Sequence, residues 1–142
     1  MISPINTPIN YKSNDEDFTL NEYEKLLKIA KKSYIFTGYK NIDWNRRFIL
    51  WRHDVDYSLN RSLKLAKIEA RNEVKSTYFL NINSEFYNLM EPIQSKIIKK
   101  IINYGHDIGI HLDTSANDLN DKNSLENILN NQKHLFIQLF NL

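Results

Sequence analysis

The sequence predicts an α/β fold in which parallel strands alternate with helices. Three stretches, FILW, VKSTYFLNI and HDIGIHLD, have the length and apolar composition of buried strands. Each is followed by a segment with apolar residues at helical spacing and with typical helix-cap residues. Strands and helices in this order produce right-handed βαβ units and therefore a parallel sheet.

Cap residues mark where the helices begin and end. A Thr19–Glu22 capping box precedes the first helix, and Ser58 is expected to cap the second. Pro92 falls in the first turn of the third helix, which we expect to end at Gly105. We expect Ser124 to cap the last helix.

Length and composition exclude several classes of protein. The 142 residues suffice for one domain over 18–142, preceded by an irregular arm over 1–17. The 19 basic and 17 acidic residues are too evenly balanced to indicate a nucleic-acid-binding surface or a polybasic membrane-binding surface. The absence of cysteine leaves only His, Asp and Glu to hold a transition metal. No segment reads as a secretion signal or a membrane span, so we expect a cytoplasmic protein.

Acidic residues and a histidine gather at the carboxyl ends of the first and third predicted strands. Because strand side chains alternate, Asp54 and Asp56 are expected on one face, with His53 on the other. His111 and Asp113 end the third strand at the same level. The carboxyl ends of parallel strands line ligand sites, and two carboxylates that face together need a cation or a shared proton. We therefore predict such a site at this rim.

A metal and a purely structural role both fit these residues. A histidine with carboxylates suits zinc or another divalent transition metal better than calcium, which prefers oxygen ligands alone. A metal would lower the pKa of bound water, and a nearby carboxylate could act as its base. Alternatively, Asp54 and Asp56 could shape a turn before the Ser58 cap, and His111 could be a satisfied structural histidine.

Other histidines and aromatic residues are expected to serve structure. His106 follows the predicted helix stop, and His53 is expected to fill the far face of the sheet, although it could orient a carboxylate. Five aromatic residues are expected to pack in the core or in loops rather than form a sugar platform, although aromatic residues near a carbohydrate site would also fit. They are Tyr57, Tyr78, Phe79, Phe86 and Tyr87.

The stretches LWRHDVDYSL, KSTYFL and GHDIGIHLD, in this order and separated by helices, resemble the polysaccharide deacetylases of carbohydrate esterase family 4. The chain looks most like the branch with RHDVD and GHxIGxHxD motifs, found in bacterial surface-polysaccharide biosynthesis, over about residues 19–140. The resemblance implies the N-terminal part of a distorted (β/α)7-type barrel. It also implies a divalent metal, usually zinc, that activates water against an N- or O-acetyl group on a carbohydrate substrate.

The resemblance further implies roles for individual residues. Asp54 matches the general base, Asp56 a metal ligand, and His111 the first histidine of an H-x-x-x-H metal motif. The sequence departs from the family at Ser115, where the second histidine would stand. Either Asp113 or a residue from elsewhere would then complete the metal site, or the metal would be weakly bound or absent.

Three functions follow from these expectations. The first is a metal-dependent carbohydrate deacetylase. The second is a catalytically incomplete fragment or binding subunit of a split or degenerate deacetylase, because the chain ends before the family's later strands. Self-association or a partner chain would then complete the barrel. The third, less favoured, is a magnesium-dependent phosphotransferase with an Asp-x-Asp site.

Overall fold

A computed structural model describes residues 18–113 and 122–140. The predicted arm over 1–17 and the departure at Ser115 lie outside these ranges. The described helices are α1 (Leu20–Ala30), α2 (Leu59–Arg71), α3 (Pro92–Asn103) and α4 (Lys122–Phe140). The described strands are β1 (Ile35–Phe36), β2 (Phe48–Ile49), β3 (Trp51–Val55), β4 (Ser76–Leu80) and β5 (Asp107–Ile110).

All strand pairs are parallel, which confirms the predicted α/β class. Strands β3, β4 and β5 form a three-stranded sheet in that order, and β1 pairs with β2 separately. In the larger sheet Asp54 lies opposite Phe79, which in turn lies opposite Gly109. Helix α2 connects β3 to β4, and α3 connects β4 to β5. The carboxyl ends of the three strands therefore lie along one edge.

The run FILW does not form one continuous strand, so that prediction was wrong. Its first half, β2, pairs with β1, while Trp51 opens β3 and pairs with Ser76. Leu50 interrupts the run because the chain exchanges one strand partner for another there. Strand β1 was not predicted, since two residues are too few to show a strand period.

Three of the predicted helix signals have the expected geometry. The side-chain oxygen of Thr19 accepts the N–H of Glu22 at 3.2 Å, and Ser58 Oγ accepts the N–H of Arg61 at 3.3 Å. Gly105 follows α3 with φ of +91°, a left-handed conformation that glycine adopts without a steric penalty.

The predicted N-cap of the last helix was wrong. Helix α4 already includes Lys122, so Ser124 lies inside its first turn. Neither Lys122 nor Asn123 is a helix breaker, so the helix can extend past the serine toward the N-terminus. The apolar side chains of Phe136 and Phe140 are buried, as the helical spacing predicted.

The core lies on the face of the sheet that α2 and α3 cover. Tyr78, Leu80, Ile98 and Ile101 are fully buried there. Strand residues between these positions face the other way, and the Arg52 guanidinium lies 4.3 Å from the centre of the Phe79 ring on that side. None of the helices over residues 18–113 and 122–140 combines the length and the apolar content that a bilayer-spanning helix needs.

Candidate functional site

A cleft of about 610 Å³ lies at the carboxyl ends of β3, β4 and β5. Asp56 follows β3, Asn81 follows β4 and His111 follows β5, so each strand delivers one polar side chain to it. Open α/β sheets bind ligands at this edge. The other lining residues are Tyr57, Asn83, Ser84, Glu85, Phe86, Leu112 and Asp113.

Asp56 and His111 meet in this cleft. Oδ1 of Asp56 lies 3.1 Å from Nδ1 of His111, and the backbone N–H of His111 donates to the Leu80 carbonyl at 2.8 Å. The alignment of the two side chains is not that of a hydrogen bond, and the buried Nδ1 has no hydrogen-bond partner among the described residues. A buried polar atom without a partner is costly, and a water or a cation commonly satisfies it.

Asp113 lies in the same cleft, close to Asn81. The Asn81 amide nitrogen, Nδ2, is 3.5 Å from Oδ2 of Asp113. The structure thus brings together Asp56, His111 and Asp113, the three residues predicted to bind metal. Over residues 18–113 and 122–140, however, no three His, Asp or Glu side chains form a metal-binding group. The described chain offers a pair of possible ligands in contact, with a third carboxylate nearby.

Asp54, the predicted base, has a different environment. Arg52 donates to both of its carboxylate oxygens, from Nε at 2.6 Å and from Nη2 at 3.1 Å. Hydrogen bonding to Asp54 raises the pKa of Arg52. Asp54 lies within β3 and does not line the cleft. Asp56 follows the end of that strand, where strand alternation no longer applies, and does line it. Arg52 therefore supplies positive charge beside Asp54.

His53 points to the opposite side, as expected, but its partner was not predicted. Its Nε2 lies 2.5 Å from Oε1 of Glu69, which is fully buried on α2, and its ring stacks on Tyr78 at 4.7 Å. The hydroxyls of Tyr23 and Tyr78 also donate to Glu69. The sequence signal that could have indicated this contact is the position of Glu69 on α2, three residues after Ala66 and therefore on the same, buried face of the helix.

The partners of Glu69 determine its ionisation. Burial by itself would raise the pKa of Glu69, but hydrogen bonding and charge from His53 and hydrogen bonds from Tyr23 and Tyr78 lower it overall. Burial and the carboxylate raise the pKa values of both tyrosines. The group is therefore an ionised carboxylate held by neutral hydroxyls and a histidine.

His106 is structural, as expected. Its Nδ1 accepts the N–H of Ser76 at 3.3 Å, and its Nε2 lies 2.9 Å from the Ala66 carbonyl. These partners require the neutral tautomer with hydrogen on Nε2. The ring joins the start of β4 to α2, remote from the strand ends that form the cleft.

The aromatic residues divide into two groups. Tyr78 and Tyr87 are buried, as expected. Tyr57 and Phe86 are 70% and 59% exposed, so they lie outside the core, on loops, which the expectation of core or loop packing allowed. Both follow strand ends on loops, where a ring can line the cleft without entering the core.

Comparisons with protein-family models, with curated proteins and with solved structures found no match for this chain. Its function is therefore proposed from the chemistry of the cleft together with the motif resemblance.

Proposed function

We propose that the cleft binds a divalent metal, with zinc as the first choice, and hydrolyses an N- or O-acetyl group on a carbohydrate. The observation that carries this proposal is the contact between Asp56 and His111, in which a buried imidazole nitrogen without a hydrogen-bond partner lies 3.1 Å from a carboxylate oxygen. Imidazole and carboxylate together suit zinc. When bound, such a metal supplies a water of lowered pKa as nucleophile.

The side chains of the chain would divide the remaining tasks. Asp56 and His111 would hold the metal, with Asp113 as a third ligand from the same cleft. Asp54 would be the general base that the sequence resemblance implies, with its carboxylate oriented by the two hydrogen bonds from Arg52. The three parallel strands would be the first part of a larger (β/α) barrel.

A second candidate is a binding subunit or incomplete fragment of such an enzyme. Two observations favour it: the described residues provide no complete group of three metal ligands, and β5 pairs on one side alone among the described strands. An unpaired edge can accept a strand from a second copy or a partner chain. The phosphotransferase is supported least, because no Lys or Arg is among the described residues that line the cleft.

The test is acetate release from N-acetylated and O-acetylated oligosaccharides with zinc or cobalt present. We expect turnover that falls about 100-fold or more in Asp54→Asn, the range for loss of a general base. Asp43→Asn changes an exposed aspartate outside the cleft and should leave turnover unchanged. Metal binding without any acetate release would favour the binding subunit, and undiminished turnover in Asp54→Asn would remove Asp54 as the base.

A further inference from the structure

Two exposed aromatic rings stand together at the cleft. Tyr57 and Phe86 have ring centroids 4.8 Å apart and ring planes inclined at 60°. They expose 70% and 59% of their surface, which leaves apolar ring area in water. Both rings line the cleft that contains Asp56 and His111, so a ligand bound there can reach them.

The loop after β4 is fastened to the end of β3. Ser84 Oγ accepts the N–H of Phe86 at 3.1 Å and donates to the Asp56 carbonyl at 3.4 Å. The buried Tyr87 donates its hydroxyl to the Val55 carbonyl at 2.5 Å. These bonds hold the loop backbone at Phe86 in place, so a ligand need not order the loop when it binds, which lowers the entropy cost of binding.

The charge of the cleft selects among ligands that could stack on these rings. Its lining includes the carboxylates of Asp56, Glu85 and Asp113, and no Lys or Arg is among its described residues. Phosphorylated ligands and acidic sugars would meet repulsion there, even if a divalent metal offset part of the charge. The lining therefore favours a neutral ligand over these charged ones. The side chains of Asn81 and Asn83 can form hydrogen bonds with hydroxyl groups of such a ligand.

We propose that Tyr57 and Phe86 form a stacking subsite for a neutral sugar ring. The C–H face of a pyranose carries partial positive charge, which the negative face of an aromatic ring attracts. The volume of about 610 Å³ lies within the usual range for sites that enclose small ligands. This inference deepens the proposed function and rests on it for the choice of a sugar.

The test is calorimetric titration of the chain with a neutral N-acetylglucosamine oligomer, in EDTA so that neither metal nor hydrolysis contributes. We expect saturable binding that weakens roughly five- to tenfold in Tyr57→Ala and in Phe86→Ala. Tyr57→Phe and Phe86→Tyr keep the rings and should bind as the parent does. Trp44→Ala removes a 79% exposed ring outside the cleft and should have no effect.

The outcomes separate this subsite from the proposed reaction. Absence of saturable binding, or equal affinity in the parent and both alanine variants, would overturn the subsite even if the metal-loaded chain releases acetate. Ring-dependent binding in a chain that takes up no metal would support the subsite and contradict the proposed reaction. An oligomer that carries carboxylates should bind more weakly, and equal affinity would overturn the assignment to neutral sugars.

Discussion

The carboxylate of Glu69 links four structural elements from a fully buried position. On α2, it contacts His53 of β3, Tyr78 of β4 and Tyr23 of α1, with His106 3.8 Å away before β5. Burying a charge is costly unless hydrogen bonds compensate it. The network therefore stabilises one arrangement of helix and sheet. Removal of the charge should lower the free energy of unfolding by a measurable amount.

We predict that Glu69→Gln lowers the free energy of unfolding by about 1–3 kcal/mol at neutral pH. Because the folded-state pKa of Glu69 is lowered, its contribution is complete above its ordinary value of 4.5 and is lost as the pH falls through the folded-state value. Urea unfolding from about pH 6 down to about pH 3 should therefore show the gap between parent and variant closing. Glu126→Gln, on the surface of α4, is the control. If the difference in unfolding free energy between parent and variant stays constant over this range, the lowered pKa of Glu69 is contradicted.

Strand β5 is shaped by close contact with β4. A methyl group at Gly109 would lie 2.7 Å from the Phe79 ring, which also supports the Arg52 guanidinium. Since Arg52 holds Asp54, packing in the middle of the sheet is connected to the predicted base. The glycine is required for close approach, and its backbone conformation is ordinary.

Gly109→Ala should therefore destabilise the protein by about 1–3 kcal/mol through overpacking, as measured by urea unfolding. Adding Phe79→Leu in the same chain should recover part of that loss, because a smaller side chain makes room for the methyl group. If Gly109→Ala leaves the free energy of unfolding unchanged and the effects of the two substitutions simply add in the double variant, the sheet accommodates the methyl group without cost.

The sequence was informative at three helix limits where a local signal decides the structure. Thr19, Ser58 and Gly105 act through their own side chains or backbone, so these helix limits were predictable. Glu69 was not, because a glutamate on a helix ordinarily faces solvent and its partners are distant in sequence. Strand alternation places Arg52 and Asp54 on one face, so their ion pair was predictable in place of the cation or shared proton expected beside Asp54.

In the molecule as a whole, sheet topology determines what meets at the cleft. Parallel strands β3, β4 and β5 end along one edge, which brings Asp56 and His111 into contact from positions far apart in the chain. Their residue types and strand-end positions were predictable. The distance between them and the exposure of Tyr57 and Phe86 depend on the paths of the loops, for which single-sequence patterns give little guidance.

The most direct test of the metal site is a calorimetric zinc titration of the purified chain, with Asp56→Ala and His111→Ala beside it and Asp43→Ala as an exposed control. We expect binding at one site that is lost in the first two variants and retained in the third, because both proposed ligands come from the cleft. Circular dichroism should show that all four proteins are folded. Absence of zinc binding by the folded parent, or retention of full affinity in both cleft variants, would contradict a metal held by Asp56 and His111.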